Sequence, residues 1–384
     1  MTQFPHHPLR LLSPKFESPL LDVINDLEYL RRHGVMGTTP SAVYIQLKNV
    51  FHILESLASA RIEGNHTTLS DYVESKFLEQ NHLGERFQEI SNIEKAMQQI
   101  EEIVTAGEPI SEHFLRSLHA IIVGGLFREG DPNPGAYRQG AVKIAQAKHI
   151  PPDALLVQDY MTELVEFINR DDAPKYGLMK VALSHHRFVW IHPFSNGNGR
   201  VVRLLTYALL IKYGFRVNAA GRLLNPAAIF CADRNQYYSN LAQADLGTDQ
   251  SLENWCVYVL DGMRNELMKI DSLADYEFLK IKILFPTINH ALDRKFITKK
   301  DHSVLSAAIK AGIVKSGDLE VSMPELNVNQ RTYQIRKLLE SGMLQPLKAG
   351  ARQYTLGFNN NMLLRGVIHA LTEQGFIPEA LAKA

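Results

Sequence analysis

Apolar residues recur every three to four positions along most of this chain, the spacing of one buried face of an α-helix. The runs extend from Leu20 to His33, Ser41 to Gly64, Leu69 to Ile103 with a break at Gly84, Ser111 to Val123, Asp153 to Asn169, Tyr176 to Trp190, Val201 to Tyr213 and Leu252 to Ile283. Gly64 is placed like the residue that ends a helix. The pattern therefore predicts a mainly α fold.

Two stretches depart from the helical spacing. From Ala141 to Ile150, apolar Val142 and Ile144 alternate with polar residues up to Pro151, which predicts a short extended segment. Past Pro286, helices from Thr298 to Lys310 and from Gln330 to Ser341 precede a strand-turn-strand pattern that ends at Leu356. This helix-helix-hairpin order resembles a winged helix. We therefore expect an N-terminal helical region at 1–109, a core at 110–265 and a winged-helix-like module at 266–384.

Composition narrows the classes of function only a little. The 384 residues suggest two or three domains, and 41 basic residues balance 41 acidic ones, so the chain as a whole does not call for a nucleic-acid partner. Cys231 and Cys256 lie in apolar helical surroundings and are expected to be buried thiols. The first ten residues lack the apolar core of a secretion signal, and no run reaches membrane-spanning length, so a soluble, cytoplasmic protein without membrane contact is expected.

The strongest chemical signal is the turn from His192 to Gly199, which separates two helical runs. Gly197, Asn198 and Gly199 directly precede an apolar helix, and successive backbone N–H groups at such a helix start form an anion-binding nest. Arg200 and Arg203 are spaced to share one helix face and to reach the same anion. His192 is the side chain here that accepts a proton near neutral pH. An ordinary Asn-Gly turn explains each feature singly, but the combination favours a phosphate site.

This segment closely resembles the signature of Fic-domain proteins, His-Pro-Phe-x-(Asp/Glu)-Gly-Asn-Gly-Arg-x-x-Arg. The resemblance implies a Fic-type helical core that transfers AMP from ATP to a protein hydroxyl, with His192 as catalytic base. It also implies that the glycine turn, Arg200 and Arg203 bind the phosphates of ATP and that Mg²⁺ takes part. One position departs from the family: Asn196 replaces the carboxylate that holds the metal, and an amide oxygen is a neutral, weaker ligand. The metal ligands therefore stay unknown.

A second short motif lies at the end of the run that begins at Ser41. Ser59, Glu63 and Gly64 fit the family's inhibitory pattern (Ser/Thr)-x-x-x-Glu-(Gly/Asn). The resemblance implies that Glu63 pairs with Arg203 and withholds it from the γ-phosphate. The alternative is a surface pair, four residues apart, that ends a helix.

The resemblance also suggests where adenosine and a target segment bind. It assigns the adenosine pocket to Tyr237, Tyr238, Leu241 and Asp245, of which the last three share a helix face; the alternative is a tyrosine-rich core helix. It makes the stretch from Ala141 to Ile150 a β-hairpin flap on which Val142, Lys143 and Ile144 add a target strand; the alternative is an ordinary hairpin loop. His185 and His186 lack other ligands at metal spacing and are expected in the core.

The resemblance at these residues implies an autoinhibited protein adenylyltransferase that modifies a Ser, Thr or Tyr hydroxyl of a target protein, with itself as a further candidate target. One alternative is an enzyme that removes AMP from a modified protein. Another is a nucleotide-sensing regulator whose C-terminal module contacts DNA. The cations available for that contact are Arg331, Arg336, Lys337, Lys348 and Arg352. The module serves equally well as a dimer or partner module, and the oligomeric state stays open.

Overall fold

The computed structural model describes residues 6–33, 37–77, 84–144, 147–215, 226–348, 350–358, 362–378 and 381. The helices are α1 (Pro19–Arg32), α2 (Ser41–Ile62), α3 (Leu69–Phe77), α4 (Glu85–Ile103), α5 (Glu112–Val123), α6 (Val157–Asn169), α7 (Gly177–Ile191), α8 (Asn198–Lys212), α9 (Pro226–Ala232), α10 (Arg234–Ala244), α11 (Asp249–Asp271), α12 (Tyr276–Leu279), α13 (Phe285–Asp293), α14 (Lys299–Ala311), α15 (Ser316–Glu320), α16 (Val328–Glu340) and α17 (Met362–Glu373). Short 3₁₀ turns lie at Ala154–Leu156, Pro174–Tyr176 and Ser272–Ala274, and a π-helical turn at Lys280–Leu284. The strands are β1 (Val314–Lys315), β2 (Leu344–Pro346) and β3 (Gln353–Leu356). The mainly α fold class is thus confirmed.

The described residues divide into two compact units. The first unit takes its residues from Met1–Gly34, Glu55–Thr67 and Leu83–Leu267, and the second from Val35–Leu54, Thr68–His82 and Met268–Ala384. Helices α2 and α11 contribute residues to both units. The division into three ranges at 1–109, 110–265 and 266–384 stays a prediction.

Helix α7 forms the centre of the first unit and packs against α6 and α8, while α8 also packs against α4 and α5. Nearly every residue of α7 and α8 is buried, including polar ones. Among these, His185 bonds to Thr206 Oγ1 at 2.7 Å and to Tyr237 Oη at 2.9 Å. A buried imidazole with both nitrogens bonded is satisfied, and His186 bonds to Asp245 at 3.0 Å. The expectation that both histidines belong to the core is confirmed.

The second unit contains the small antiparallel sheet, whose strand order is β1-β3-β2. Val314 pairs with Tyr354, and Leu344 pairs with Leu356. Elements follow in the order α14, β1, α15, α16, β2, β3, so the two predicted helices, α14 and α16, precede the β2–β3 hairpin, with β1 and the short α15 between them. Its assignment as a winged-helix-like module stays a prediction.

The predicted flap differs from the expectation. Within 141–144 and 147–150, the described parts of the segment, no residue belongs to a strand, and the Ala147 N–H donates to the Ile144 carbonyl at 3.4 Å. Ala145 and Gln146, at the middle of the predicted hairpin, lie outside the described residues. The stretch from Ala141 to Ile150 has only two β-branched residues, Val142 and Ile144, before the predicted turn, and several of its side chains are exposed. This gives too little packing to stabilise a two-stranded ladder.

Candidate active site

His192 lies where α7 ends, in a conformation that few residues adopt. Its φ of 51° and ψ of 61° are left-handed, and Pro193 follows, which cannot continue the helix. A non-glycine residue held in this region is strained, and such strain concentrates at functional sites. The ring Nδ1 lies 3.4 Å from the Val189 carbonyl, which favours a hydrogen on Nδ1 and leaves Nε2 to accept a proton.

The surroundings keep His192 neutral. Burial, the largest cause, lowers its pKa from 6.5 to about 4, and the positive charge of Arg138 lowers it further. The Val189 carbonyl and the negative charge of Glu63 act in the opposite direction. At neutral pH the imidazole is therefore unprotonated and able to act as a base.

Arg138, which sequence reasoning passed over as part of a turn, fixes the backbone around His192. It is 4 % exposed, and its guanidinium donates to the carbonyls of His192 at 2.8 Å, Gly140 at 2.9 Å and Pro152 at 2.6 Å. Its own N–H donates to the Pro193 carbonyl at 2.9 Å. The planar guanidinium of Arg138 thus connects the backbone at His192 with the backbone at both ends of the predicted flap. A local pattern around Tyr137-Arg138 could not reveal partners more than fifty residues away.

The glycine turn is rigid because Asn198 bridges it. The side chain of Asn198 accepts from the Phe194 N–H at 2.9 Å and donates to the Phe194 carbonyl at 2.8 Å. Phe194 is fully buried and stacks on the ring of His119 with centroids 3.8 Å apart. Gly197 has a φ of 76°, which glycine adopts at little cost. Only the backbone N–H of Asn198, and not its side chain, thus remains for a phosphate.

Helix α8 begins at Asn198, three residues earlier than the apolar pattern predicts. The first N–H groups of a helix have no partner within it, so this start presents an anion-binding nest at Asn198 and Gly199. Glu63 occupies the space beside this nest, since a Cβ added to Gly199 would overlap the Glu63 Oε1. A carboxylate therefore lies against the turn where the resemblance places phosphate.

The same Glu63 holds Arg203. Its Oε1 accepts from Arg203 Nη2 at 2.7 Å, while Ser59 accepts from Arg203 Nε through its hydroxyl and from Nη2 through its carbonyl, both at 2.9 Å. Arg203 is 1 % exposed and the Glu63 side chain 29 %. The pairing that the resemblance implies, between residues 140 positions apart, is present.

Both partners favour their charged forms. Burial acts to raise the pKa of the Glu63 carboxyl, but the charge and hydrogen bond of Arg203 outweigh it, so that the pKa is lowered. Burial likewise acts to lower the pKa of Arg203, and Glu63 outweighs it. A charged, hydrogen-bonded pair at 2.7 Å is among the stronger side-chain contacts in proteins.

That Arg200 and Arg203 reach one anion stays a prediction; in this structure Arg200 has its own acceptors. It lies 3.0 Å from a carboxylate oxygen of Glu89 in α4 and donates to the Glu129 carbonyl at 2.7 Å. The other Glu89 oxygen accepts from Asn65 at 2.8 Å. Glu89 is a residue that sequence reasoning missed, because a glutamate on an amphipathic helix carries no local sign of a distant partner.

Asn196, the position that departs from the Fic signature, is partly buried, with both ends of its amide in use. Its Oδ1 accepts from the Gly197 N–H at 2.7 Å, and its Nδ2 donates to the Gly130 carbonyl at 3.2 Å. Its own carbonyl lies 3.2 Å from His119 Nε2. An amide suits this place because it both donates and accepts, whereas a carboxylate would face the Gly130 carbonyl.

The residues predicted to line the adenosine pocket differ in burial and in hydrogen bonding. Tyr237 is 2 % exposed and its hydroxyl is bonded to His185, so it lies in the core instead of facing a nucleotide. Tyr238 is 39 % exposed with Arg234 over its ring, Leu241 is buried, and Asp245 is bonded to His186. The pocket prediction then rests on Tyr238, Leu241 and Asp245.

The other predicted features are distributed as follows. Of the predicted flap residues, Lys143 is exposed and Val142 and Ile144 are half-buried. Cys231 and Cys256 are buried free thiols, as expected. Three of the five module cations form ion pairs within that module: Arg331 with Glu320, Arg336 with Glu340, and Lys337 with Asp301. DNA contact therefore stays a prediction. No helix within the described ranges has the length and apolarity to cross a membrane.

The chain also resembles known proteins in sequence and in fold. Residues 109–210 match the model of the Fic/DOC family. A relative named protein adenylyltransferase Fic, from Nematostella vectensis, is 29% identical over 217 residues, which are 55% of this chain and 47% of that protein. The chain thus spans about half the length of this relative. A Fic family protein from Desulfovibrio desulfuricans G20 has a TM-score of 0.55 at 20% identity, covering 91% of this chain and 98% of its own. A Fic domain-containing signalling protein from Bacteroides thetaiotaomicron has a TM-score of 0.54 at 19% identity, covering 67% and 97%.

Proposed function

We propose that this chain, which contains a Fic/DOC domain at residues 109–210, is a protein adenylyltransferase restrained by Glu63. One observation carries the proposal: a neutral His192 and a helix-start anion nest lie in one turn, and the Glu63 carboxylate lies against Gly199 beside the nest while holding Arg203. A carboxylate of the same chain that lies beside the anion site and pairs with its arginine is what a restrained nucleotide enzyme requires. The relatives named protein adenylyltransferase support the class of reaction.

The reaction begins with the proton of a target hydroxyl, on a Ser, Thr or Tyr side chain. His192 Nε2 accepts that proton as the hydroxyl oxygen attacks the α-phosphorus of ATP. A bond forms between that oxygen and the α-phosphorus, and the bond to the bridging oxygen of the β-phosphate breaks. AMP is left on the target, and pyrophosphate leaves with the electron pair.

The chain stabilises this step through position and charge. The Asn198 and Gly199 N–H groups and the start of α8 bind phosphate oxygens, and Arg203, once released, neutralises charge that moves to the leaving pyrophosphate. Phosphoryl transfer needs in-line alignment more than covalent help, so withholding Arg203 leaves ATP misaligned. Glu63 thereby restrains transfer.

The fold family implies Mg²⁺, whose charge would offset that of the phosphates. Asn196 by itself fits the ion poorly, because its amide oxygen is neutral and already accepts from Gly197. A buried carboxylate oxygen without a hydrogen-bond donor lies nearby on Asp131. Together these two residues offer the donor types that the ion prefers.

Incorporation of ATP labelled at the α-phosphate tests the proposal. Wild type, Glu63→Gly and Glu63→Gly combined with His192→Ala are incubated with labelled ATP and Mg²⁺. We expect label on the Glu63→Gly protein well above wild type, and none once His192 is lost. ATP binding without label in any of the three would contradict transfer and favour a nucleotide sensor. Release of AMP from an already modified protein, without incorporation, would favour AMP removal.

A further inference from the structure

We propose that Asp131 and Asn196 together hold a divalent cation at the nucleotide site. Asp131, in the segment between α5 and α6, would supply the carboxylate that position 196 lacks. The inference rests on the proposed function, because the cation would be completed by the phosphates of the nucleotide.

The carboxylate of Asp131 is buried but only half used. Its side chain is 1 % exposed, and one oxygen, Oδ1, accepts from the Asn133 N–H at 2.8 Å. The other oxygen, Oδ2, is buried, and none of the residues that the structure describes donates a hydrogen bond to it. Burying a charged oxygen without a donor is costly, and such atoms in native proteins mark a place for an ion, a water or a catalytic group.

Two short connections place Asp131 beside Asn196. The carbonyl of Gly130, which precedes Asp131, accepts from Asn196 Nδ2 at 3.2 Å. His119 Nε2 lies 3.2 Å from the Asn196 carbonyl and 3.7 Å from Asp131 Oδ2. Asp131 and Asn196 therefore lie next to each other at the start of the glycine turn, beside His119.

His119 does not account for the unused oxygen. The Gly135 N–H donates to His119 Nδ1 at 2.9 Å, so the ring hydrogen lies on Nε2. That hydrogen is directed to the Asn196 carbonyl at 3.2 Å, whereas 3.7 Å to Asp131 Oδ2 exceeds hydrogen-bond distance. His119 therefore binds the backbone of Asn196 and does not donate to Asp131 Oδ2.

The donor set suits Mg²⁺ bound together with a nucleotide. Asp131 offers a charged oxygen, and Asn196 Oδ1 has a second lone pair besides the one that accepts from Gly197. Mg²⁺ commonly takes one or two carboxylates and fills its remaining positions with phosphates and water.

Cation affinity in the nucleotide complex tests the assignment directly. The full chain carrying Glu63→Gly is saturated with a non-hydrolysable α,β-methylene analogue of ATP, and the Kd for Mn²⁺ is measured from the EPR signal of the free ion. Adding Asp131→Asn, a change of nearly equal volume, should raise that Kd about tenfold or more. Adding Asn196→Asp to the Asp131→Asn protein should restore the lower Kd for Mn²⁺, because one of the two neighbouring positions again carries a carboxylate.

Two further variants keep the outcome interpretable. Glu129→Gln removes a carboxylate two residues away, on a side chain that is 35 % exposed, and should leave the Kd for Mn²⁺ within twofold. Asn196→Ala removes the weaker ligand and should raise the Kd less than Asp131→Asn does. If Asp131→Asn fails to fold by circular dichroism, Asn196→Ala decides, since nearly complete loss of Mn²⁺ affinity there would overturn the proposal.

The result separates this inference from the proposed function. An unchanged Kd for Mn²⁺ in a folded Asp131→Asn protein that still binds the analogue overturns the role of Asp131 and leaves the nucleotide site standing. Failure of the Glu63→Gly protein to bind the analogue, with or without metal, contradicts the nucleotide site itself.

Discussion

Replacing Glu63 should raise AMP transfer by an amount that follows from its contact with Arg203. The contact is one charge-assisted hydrogen bond of 2.7 Å, and such bonds contribute about 1.5–3 kcal/mol. Arg203 can bind a phosphate of ATP only after that phosphate displaces the Glu63 carboxylate. Removing Glu63 should therefore favour ATP bound in the orientation for transfer by the same free energy. At about 1.4 kcal/mol per factor of ten, Glu63→Gly should transfer AMP roughly 10- to 150-fold faster.

The matched variant Glu63→Gln separates charge from space. It retains an acceptor oxygen toward Arg203 but loses the opposite charge, so the contact is weaker and the rate should fall between wild type and Glu63→Gly. Glu63→Gly leaves the buried Arg203 with its two hydrogen bonds to Ser59, and Glu63→Gln leaves it without an opposite charge. We therefore expect each to lose about 1–3 kcal/mol of stability without nucleotide, or about 2–4 °C of Tm per kcal/mol.

The assay measures initial rates of AMP incorporation at saturating ATP, with Tm recorded in the absence and presence of the α,β-methylene analogue. The analogue should raise the Tm of Glu63→Gly more than that of wild type, because Arg203 regains an anionic partner. Equal rates in wild type and Glu63→Gly, within twofold, would refute the restraint. A Glu63→Gln rate equal to that of Glu63→Gly would assign the whole restraint to charge.

Three other predictions concern the turn around His192. Because burial lowers the pKa of His192 to about 4 and the charge of Glu63 acts to raise it, removing that charge should not return the pKa to 6.5. The kcat/KM of Glu63→Gly should therefore stay level from pH 8 to below 6, and an acid limb near 6.5 would contradict the buried base. Arg138→Lys keeps the charge but loses the planar guanidinium that donates to three carbonyls. The rate of AMP transfer should therefore fall about tenfold or more, and the Tm should also fall. An unchanged rate would show that Arg138 does not position His192. Asn198→Asp should lower the Tm at least as much as Asn198→Ala, since a carboxylate oxygen would face the Phe194 carbonyl; a Tm equal to wild type would show that this bridge does not hold the turn.

Local patterns predicted the parts of the site that depend on neighbouring residues. The His192–Arg203 turn followed from glycines before an apolar helix, and the end of α2 followed from Gly64, whose φ is 99°. Helix α8 begins earlier than its apolar pattern because Asn198 and Gly199 form its first turn while contributing no apolar side chain. Such features are encoded within a few positions, so spacing alone reveals them.

Contacts between distant segments could not be read from spacing. Glu89 in α4 pairs with Arg200 in α8, and Arg138 bonds to the His192 carbonyl 54 positions away. Tyr237 was expected in a nucleotide pocket but is buried with its hydroxyl on His185, because the fold turns that face of α10 toward α7. Only the Glu63–Arg203 pairing was anticipated over such a distance, and it came from the family resemblance.

The amounts of pyrophosphate released and of AMP bound to protein, measured in one sample, test the central claim most directly. Glu63→Gly protein is incubated with ATP and Mg²⁺, and intact-protein mass spectrometry counts AMP adducts while an enzymatic assay counts pyrophosphate. The account predicts one pyrophosphate per AMP adduct in Glu63→Gly, far less of both in wild type, and neither once His192→Ala is added. Adduct formation that persists without His192, or pyrophosphate released with no adduct on protein, would contradict it.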